Sequence, residues 1–320
     1  MRPWIKILST AWLGLMTVTP PALADYPDRP IRIVVPYGAG GGTDVVARLV
    51  AAALAKRLGQ SILVENRPGA DSSIGSEFVA RSAPDGYTFL IGASGLSSGP
   101  FLLKAFAVDP LKDFTHIVQF AEAPTVFVVN PLLPAKTMKE FVDLAKANPG
   151  KYNVAVFGPY ASDHAVLNLM AGINTVAVPF QGGSAPMLTA LLGNHVQAMF
   201  AAHVAVKGQI NAGQLRVLAT GSERRHSLLP DIPSISEAVP GYSASGLWQG
   251  LSGPAGLPEN IVTKLNTEVN AVLKTEEVKL ALERAGFAVA GGTPAAYRAW
   301  IVSDLERFQK AAKASGGGPK

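Results

Sequence analysis

Short β-branched runs alternate with amphipathic helical stretches along most of this chain. Residues 31–36, IRIVVP, form a run that is typical of a buried strand. On one face of the next stretch, apolar residues recur at helical spacing, at Val46, Val50, Leu54 and Leu58. Gly59 marks the end of this helix, and residues 61–65 form a second strand-like run. Such a strand–helix–strand unit predicts two parallel strands joined by a right-handed crossover.

The same alternation continues toward the C-terminus. Further strands are predicted at 88–92, 117–120, 126–129, 153–157, 176–180, 196–200, 215–220 and 246–251. Helices are predicted at 74–82, 141–147, 163–171, 187–192, 259–273 and from 293 onward. We expect an α/β fold with mostly parallel sheets flanked by helices. Because 320 residues exceed what one hydrophobic core usually serves, we expect two lobes.

Several predicted strands end in loops of glycine and other small residues that lead into a helix. Residues 37–44, YGAGGGTD, and 93–98, ASGLSS, follow two early strands, while 158–162 and 181–184 follow two later ones. Backbone N–H groups and the positive end of a helix dipole favour anions at such loops. We expect Thr43 to cap the first helix. The repeated pattern predicts a clamp for an anion, and a plain tight turn is the alternative for the first loop.

Composition and charge exclude several classes of protein. With 48% hydrophobic and 16% charged residues, the chain has ample material for a packed core. It contains no cysteine, which excludes disulfides, thiolate metal sites and cysteine nucleophiles. The net charge of +5 is small and scattered, which argues against nucleic-acid binding. Neither metal-ligand spacing of histidines, a G-x-S-x-G motif nor a P-loop occurs, so we expect no metal, no cofactor and no enzyme activity.

The first residues have the parts of a secretory signal peptide in the right order. Arg2 and Lys6 are basic, 7–18 is mostly apolar, and 22–24, ALA, is a typical cleavage site. The apolar stretch is shorter than the roughly 20 residues that a membrane span needs. We expect residues 1–24 to be a signal peptide and the mature protein to act in the periplasm. A buried N-terminal helix is the alternative.

Several segments carry the motifs of one known family. They are VPYGAGGGTD at 35–44, ENRPGA at 65–70, APDGYT at 83–88, VPFQG at 178–182, LPDIP at 229–233 and GPAG at 253–256. In sequence and in order, these segments resemble the Bug family, the periplasmic solute receptors of tripartite tricarboxylate transporters. The resemblance extends over nearly the whole mature chain.

This resemblance implies a type II periplasmic-binding-protein fold. Each of two lobes would contain a mostly parallel sheet flanked by helices, and two strands would form the hinge. The first domain would comprise 26–124 and 246–320, and the second 125–245. The implied ligand is a small organic acid, bound as a carboxylate between the domains without a cofactor. The implied partners are the membrane permease subunits of a tripartite tricarboxylate transporter, and the receptor itself would be a monomer.

The resemblance also implies ligand-binding positions, carried over residue by residue. In the first domain they are Tyr37, Gly38, Ala39, Gly40, Gly41, Thr43, Asp44, Ser94 and Ser97. In the second domain they are Gly158, Tyr160, Ala161, Ser162, His164, Phe180, Gln181, Gly182, Gly183 and Ala201.

The second domain departs from the family pattern. Ala201 replaces a frequent aspartate, Ala161 a threonine or serine, and Gln181 a common lysine. These changes predict that the far end of the ligand meets less polar surroundings than in other members. Two alternatives to a transport receptor remain open: a ligand sensor for a signalling partner, and an exported enzyme acting on carboxylates, which the absence of catalytic motifs disfavours.

Overall fold

The structure is a computed structural model that describes residues 26–314 except 71, 105, 158, 181–183 and 245. The expected signal peptide, residues 1–24, lies outside the described residues. The strands are β1 (Ile31–Val35), β2 (Ile62–Asn66), β3 (Thr88–Ala93), β4 (Phe114–Ala123), β5 (Thr125–Val129), β6 (Asn153–Val156), β7 (Val176–Pro179), β8 (Ala198–Ala202), β9 (Arg216–Thr220), β10 (Leu247–Pro254) and β11 (Ala288–Val289). The helices are α1 (Gly42–Leu58), α2 (Ser73–Ala80), α3 (Ser94–Leu102), α4 (Met138–Ala147), α5 (Pro159–Ala171), α6 (Ser184–Leu192), α7 (His203–Asn211), α8 (Glu259–Leu273), α9 (Glu276–Arg284) and α10 (Pro294–Ala314). Among the described residues, no helix is both long and apolar enough to cross a membrane.

These strands form two sheets. The first has the order β11–β4–β10–β3–β1–β2, and the second has the order β7–β6–β8–β5–β9. The predicted β1–α1–β2 unit is present, because β1 pairs in parallel with β2 and also with β3. In the second sheet β6 pairs in parallel with β7 and β8. The α/β fold with two sheets flanked by helices is therefore confirmed.

Both sheets are mixed, whereas the sequence predicted mostly parallel ones. Strand β10 runs antiparallel to β3 and β4, and β5 runs antiparallel to β8 and β9. The chain changes sheet at these two strands, since β5 follows β4 after Pro124 alone. Parallel order is imposed by strand–helix–strand crossovers, and a strand that arrives from the other sheet is free of that constraint.

A buried ion pair in the last helix contacts the segment at which the chain returns from the second sheet to the first. Arg307 of α10 forms an ion pair with Asp304 and donates a hydrogen bond to the carbonyl oxygen of Ala244 at 2.9 Å. The indole Nε1 of Trp248 donates to Asp304 Oδ2 at 2.9 Å. Helix α10 also packs against α5 of the other sheet. Through these contacts the Arg307–Asp304 pair holds Ala244 and Trp248, on either side of the return to the first sheet, against α10.

Each sheet has its own hydrophobic core. The predicted apolar faces of α1 and α8 are buried against the first sheet at Val46, Val50, Leu54, Ile261, Leu265, Val269 and Val272. In the second core the ring of Phe127 meets those of Phe141 and Phe200, with centroids 4.9 Å apart in both pairs. Burying one such side chain stabilises a fold by about 1.5–3 kcal/mol. Helical periodicity alone therefore located much of the first core.

Two stretches predicted as loops are largely the first turns of helices. Helix α3 begins at Ser94 and α5 at Pro159, so most of 93–98 and of 158–162 is helical. Serine and glycine are poor helix formers, but burial of this part of α3 outweighs that preference. Proline is favoured at the first position of a helix, which accounts for the early start of α5. Helices α7 and α9 were not predicted at all.

Candidate functional site

A cleft between the two sheets contains two adjoining cavities of about 380 and 480 Å³. We call the smaller the β1–β3 cavity, because residues after β1 and β3 line it, including Tyr37 and Ser94. We call the larger the α7 cavity, because Val204 and Ala205 of α7 line it. Both share Gly42, Phe157, Leu247 and Phe287. The two cavities form one space at the carboxyl ends of strands, where open α/β sheets bind ligands.

The cleft includes about half of the positions expected in the first domain. Tyr37, Gly38, Thr43 and Ser94 line the β1–β3 cavity, and Gly40 lines the α7 cavity. Ala39, Gly41, Asp44 and Ser97 line neither of these cavities. Ser97 is fully buried inside α3. Thr43 is not the expected cap either, because Gly41 takes the N-cap position of α1 without a side-chain bond.

Asp44, which was expected among the ligand contacts, lines neither cavity and holds the loop after β1 from behind. Its Oδ2 accepts hydrogen bonds from Gly40 N at 2.9 Å and Arg48 Nε at 3.0 Å, and its Oδ1 accepts from Asn66 Nδ2 at 2.9 Å. Only 3% of Asp44 is exposed. The hydrogen bond from Arg48, followed by those from Gly40 and Asn66, lowers the pKa of this carboxyl to about 2 against the opposing effect of burial. Asp44 is thus a positioning residue.

Tyr37 joins the loop after β1 to the start of α3. Its hydroxyl oxygen accepts a hydrogen bond from Gly95 N at 3.1 Å, and its carbonyl oxygen accepts one from Asn66 Nδ2 at 3.1 Å. The amides of Gly40 and Gly95 are therefore engaged within the protein. Gly40 has φ of +80°, a left-handed conformation that favours glycine. The loop after β1 and the start of α3 are therefore preformed walls of the cleft.

Two buried polar side chains that the sequence did not single out line the β1–β3 cavity. Ser72 is 1% exposed and Gln249 is 3% exposed. Ser72 Oγ and Gln249 Oε1 have no hydrogen-bond partner among the described residues. Ser72 also has φ of +77°, which is unusual for serine and costs about 1–3 kcal/mol. A buried polar atom without a partner is itself costly, so these two groups point to a ligand. The Ser72 hydroxyl can donate to it, whereas Gln249 Oε1 can only accept, and Gln249 donates only when its amide turns to present Nε2.

Helix starts add a positive potential to the same cavity. Helix α1 begins at Gly42, α3 begins at Ser94, and Ser72 is the N-cap of α2, where its hydroxyl makes no capping bond. Each helix start carries partial positive charge from its unpaired N–H groups. No charged side chain among the described residues lines either cavity. The cavity therefore favours an anion through dipoles rather than through ion pairs.

The α7 cavity has mainly apolar walls. The apolar residues along it include Phe157, Val204, Ala205, Leu247 and Phe287. Its polar side chains are those of Ser184 and Tyr160. Tyr160 is 5% exposed, and burial raises the pKa of its phenol, which keeps it neutral.

The structure describes six of the ten positions expected in the second domain. Of these, Tyr160 lines the cleft, whereas Ala161, Ser162, His164, Phe180 and Ala201 line neither cavity. His164 Nε2 lies 2.8 Å from Thr175 Oγ1, and burial lowers the pKa of His164 to about 4. His164 is therefore engaged with Thr175, directly before β7, and does not line the cleft. Gly158, Gln181, Gly182 and Gly183 lie outside the described residues.

The two sides of the cleft touch at one edge. Val204 of α7 packs against Gly286, in the turn between α9 and β11. A Cβ atom at Gly286 would lie 2.4 Å from Cβ of Val204, and the φ of Gly286 is +83°. Only glycine allows this approach of the backbone across the cleft.

Comparison with known proteins identifies the class to which this cleft belongs. Residues 46–316 match the sequence profile described as tripartite tricarboxylate transporter family receptor. Protein BugT of Bordetella pertussis is 33% identical over 308 residues, which are 93% of each chain. This chain belongs to the tripartite tricarboxylate transporter receptor family, as the resemblance to Bug proteins predicted.

Solved structures of similar proteins support the same class. A protein of R. palustris solved with adipate is 34% identical, with a TM-score of 0.77 over 92% of this chain and 100% of its own. MatC from Rhodopseudomonas palustris, solved with bound malate, is 32% identical, with a TM-score of 0.71 over 90% of this chain and 100% of its own. The periplasmic binding protein BugD is 30% identical, with a TM-score of 0.72 over 92% of this chain and 100% of its own. The family and such neighbours are solute-binding proteins and not enzymes, which confirms the expectation that this chain is not an enzyme.

Proposed function

We propose that this chain is an extracytoplasmic receptor that captures a small organic acid in the cleft and delivers it to the membrane subunits of a tripartite tricarboxylate transporter. Residues 1–24 would direct its export to the periplasm. The first sheet would be the core of a domain formed by 26–124 and 246–320, and the second sheet the core of 125–245. The receptor would act as a monomer.

One observation carries this proposal: a cavity without charged side chains combines three helix starts with two buried, unpartnered polar groups. A carboxylate there accepts a hydrogen bond from the Ser72 hydroxyl. Gln249 becomes a second donor once its side-chain amide turns by half a turn, which presents Nε2 to the ligand in place of the unpartnered acceptor Oε1. Burial of a carboxylate without donors costs several kcal/mol, so these groups are what makes capture possible. The malate and adipate bound by similar proteins agree with this chemistry.

Capture would include closure of the lobes about the two links between the sheets. The contact between Val204 and Gly286 lies beside the link at Pro124, because His203 N donates to Pro124 O at 2.9 Å and Ala288 pairs with Glu122. Closure would shield the ligand from water and present a closed receptor to the permease.

The proposal is tested by titrating the mature protein with hexanoate, benzoate, malate, adipate and citrate in a calorimeter. We expect at least one acid to bind with one molecule per chain, to be recovered unchanged after long incubation, and to reduce the radius of gyration in small-angle scattering. Binding without a change in radius would contradict the clamp. Conversion of the acid to a product would contradict a receptor.

A further inference from the structure

We propose that the ligand of this receptor is a monocarboxylate with an apolar body, such as a medium-chain fatty acid or an aromatic acid. The inference rests on the proposed function and specifies the substrate class of the same cleft. The carboxylate would lie in the β1–β3 cavity, and the apolar body in the α7 cavity.

The first step is the separation of polar and apolar walls along the cleft. Both unpartnered polar groups, Ser72 Oγ and Gln249 Oε1, belong to the β1–β3 cavity. The α7 cavity is the larger of the two, and side chains such as Val45, Val204 and Phe287 form its walls. A ligand that fills both cavities meets the two unpartnered polar groups at one end and mainly hydrocarbon at the other, where Ser184 and Tyr160 are the polar side chains among the described residues.

The second step is the cost of a second charge at the apolar end. Among the described residues, no lysine, arginine or histidine lines the α7 cavity. Helices α1, α6 and α7 begin beside this cavity, so helix dipoles act there too, although the first amide of α7, His203 N, already donates to Pro124 O at 2.9 Å. A second carboxylate would lose its water of hydration without an ion-pair partner in return, and this disfavours dicarboxylates.

The third step is the gain from an apolar body. Each buried methylene strengthens binding about fourfold, as expected for hydrocarbon moved out of water. The two cavities together lie in the usual size range of small-molecule sites. Chain length should therefore raise affinity until the α7 cavity is filled.

The experiment compares hexanoate with adipate, two acids of equal carbon number that differ in the second carboxylate. We expect hexanoate to bind the mature protein at least about tenfold more tightly, and affinity to rise from butanoate to hexanoate by about fourfold per methylene. Equal or tighter binding of adipate, or of citrate, would overturn the inference while leaving the receptor intact. Failure of every carboxylate to bind would contradict the proposed function instead.

A variant with a cation at the apolar end should reduce the preference for hexanoate over adipate. Ala205 is exposed in the first turn of α7 and lines the cavity, so Ala205→Lys adds a cation beside the apolar end without disturbing the core. We expect this variant to gain affinity for adipate relative to hexanoate by roughly tenfold. Asn211→Lys adds the same charge at the exposed far end of α7 and should leave the ratio unchanged. A ratio that shifts equally in both variants would show a general charge effect and contradict the assigned position.

Discussion

Replacing Asp44 with alanine is expected to lower the free energy of unfolding by about 2–3 kcal/mol, because hydrogen-bond donors near the protein interior lose their acceptor. The main donors are Gly40 N, Arg48 and Asn66 Nδ2. Without Asp44 the loop that forms one wall of the cleft loses its anchor. We therefore also expect carboxylate affinity to fall roughly tenfold, or about 1.4 kcal/mol. Chemical unfolding and calorimetric titration measure the two effects.

Asp143→Ala is the matched control. Asp143 also pairs with a basic residue four positions away on its helix, Lys139, but both side chains are largely exposed. Such surface pairs contribute about 0–1 kcal/mol. We expect little change in stability and none in binding. Equal losses in both variants would contradict the anchoring role of Asp44.

The lowered pKa of Asp44 also predicts that the stability of the protein depends on pH. The folded protein lowers the pKa of this carboxyl from 3.8 to about 2, so the folded state holds its proton less tightly than the unfolded chain. The stabilisation is then fully present above the unfolded pKa and is lost as the pH falls from about 4 toward 2. The stability difference between the wild type and Asp44→Ala should be constant near pH 6 and should narrow below pH 4. A difference that grows on acidification would contradict this sign.

The second large effect is expected from Gly286→Ala, which prevents the contact across the cleft. The added methyl group would lie 2.4 Å from Cβ of Val204, so the two sides cannot approach as they do in this structure. We expect ligand affinity to fall roughly tenfold, or about 1.4 kcal/mol. The radius of gyration with saturating ligand should exceed that of the wild type.

Two further variants separate closure from backbone strain. Gly256 has φ of +82°, close to the +83° of Gly286, and has open space around it. Gly256→Ala should therefore cost the same strain, about 1–2 kcal/mol, without affecting binding. Val204→Gly in the Gly286→Ala background removes the colliding atoms and should restore part of the affinity. If Gly256→Ala weakens binding as much as Gly286→Ala, the effect is strain alone and the closure contact has no role.

Periodicity and turn chemistry predicted much of the architecture. The apolar faces of α1 and α8 and the end of α1 at Gly59 lie where the sequence indicated, because helical spacing and a left-handed glycine leave a direct pattern. Helix α9 was missed although Val278 and Leu282 are buried at helical spacing. The start of α3 could not be found this way, since its stability comes from burial by distant segments rather than from local preference.

The cleft was harder to predict than the fold. The loop after β1 was located by its glycines, but the role of Asp44 depends on Asn66, which belongs to another strand. The available sequence signal for the role of Asp44 was its spacing of four residues to Arg48. Ser72 and Gln249 stand in no motif, and their importance follows only from burial without partners. Unpartnered polar atoms are a property of the assembled fold, so a sequence pattern cannot show them.

The most direct test of the account is a crystal structure of the mature protein with hexanoate, or with whichever carboxylate of the calorimetric series binds most tightly. We predict one ligand per chain in the cleft, with its carboxylate within about 3 Å of the Ser72 hydroxyl and the Gln249 amide. The remainder of the ligand should extend into the α7 cavity. A carboxylate bound outside the cleft, or at the α7 end with Ser72 and Gln249 still unpartnered, would contradict the account.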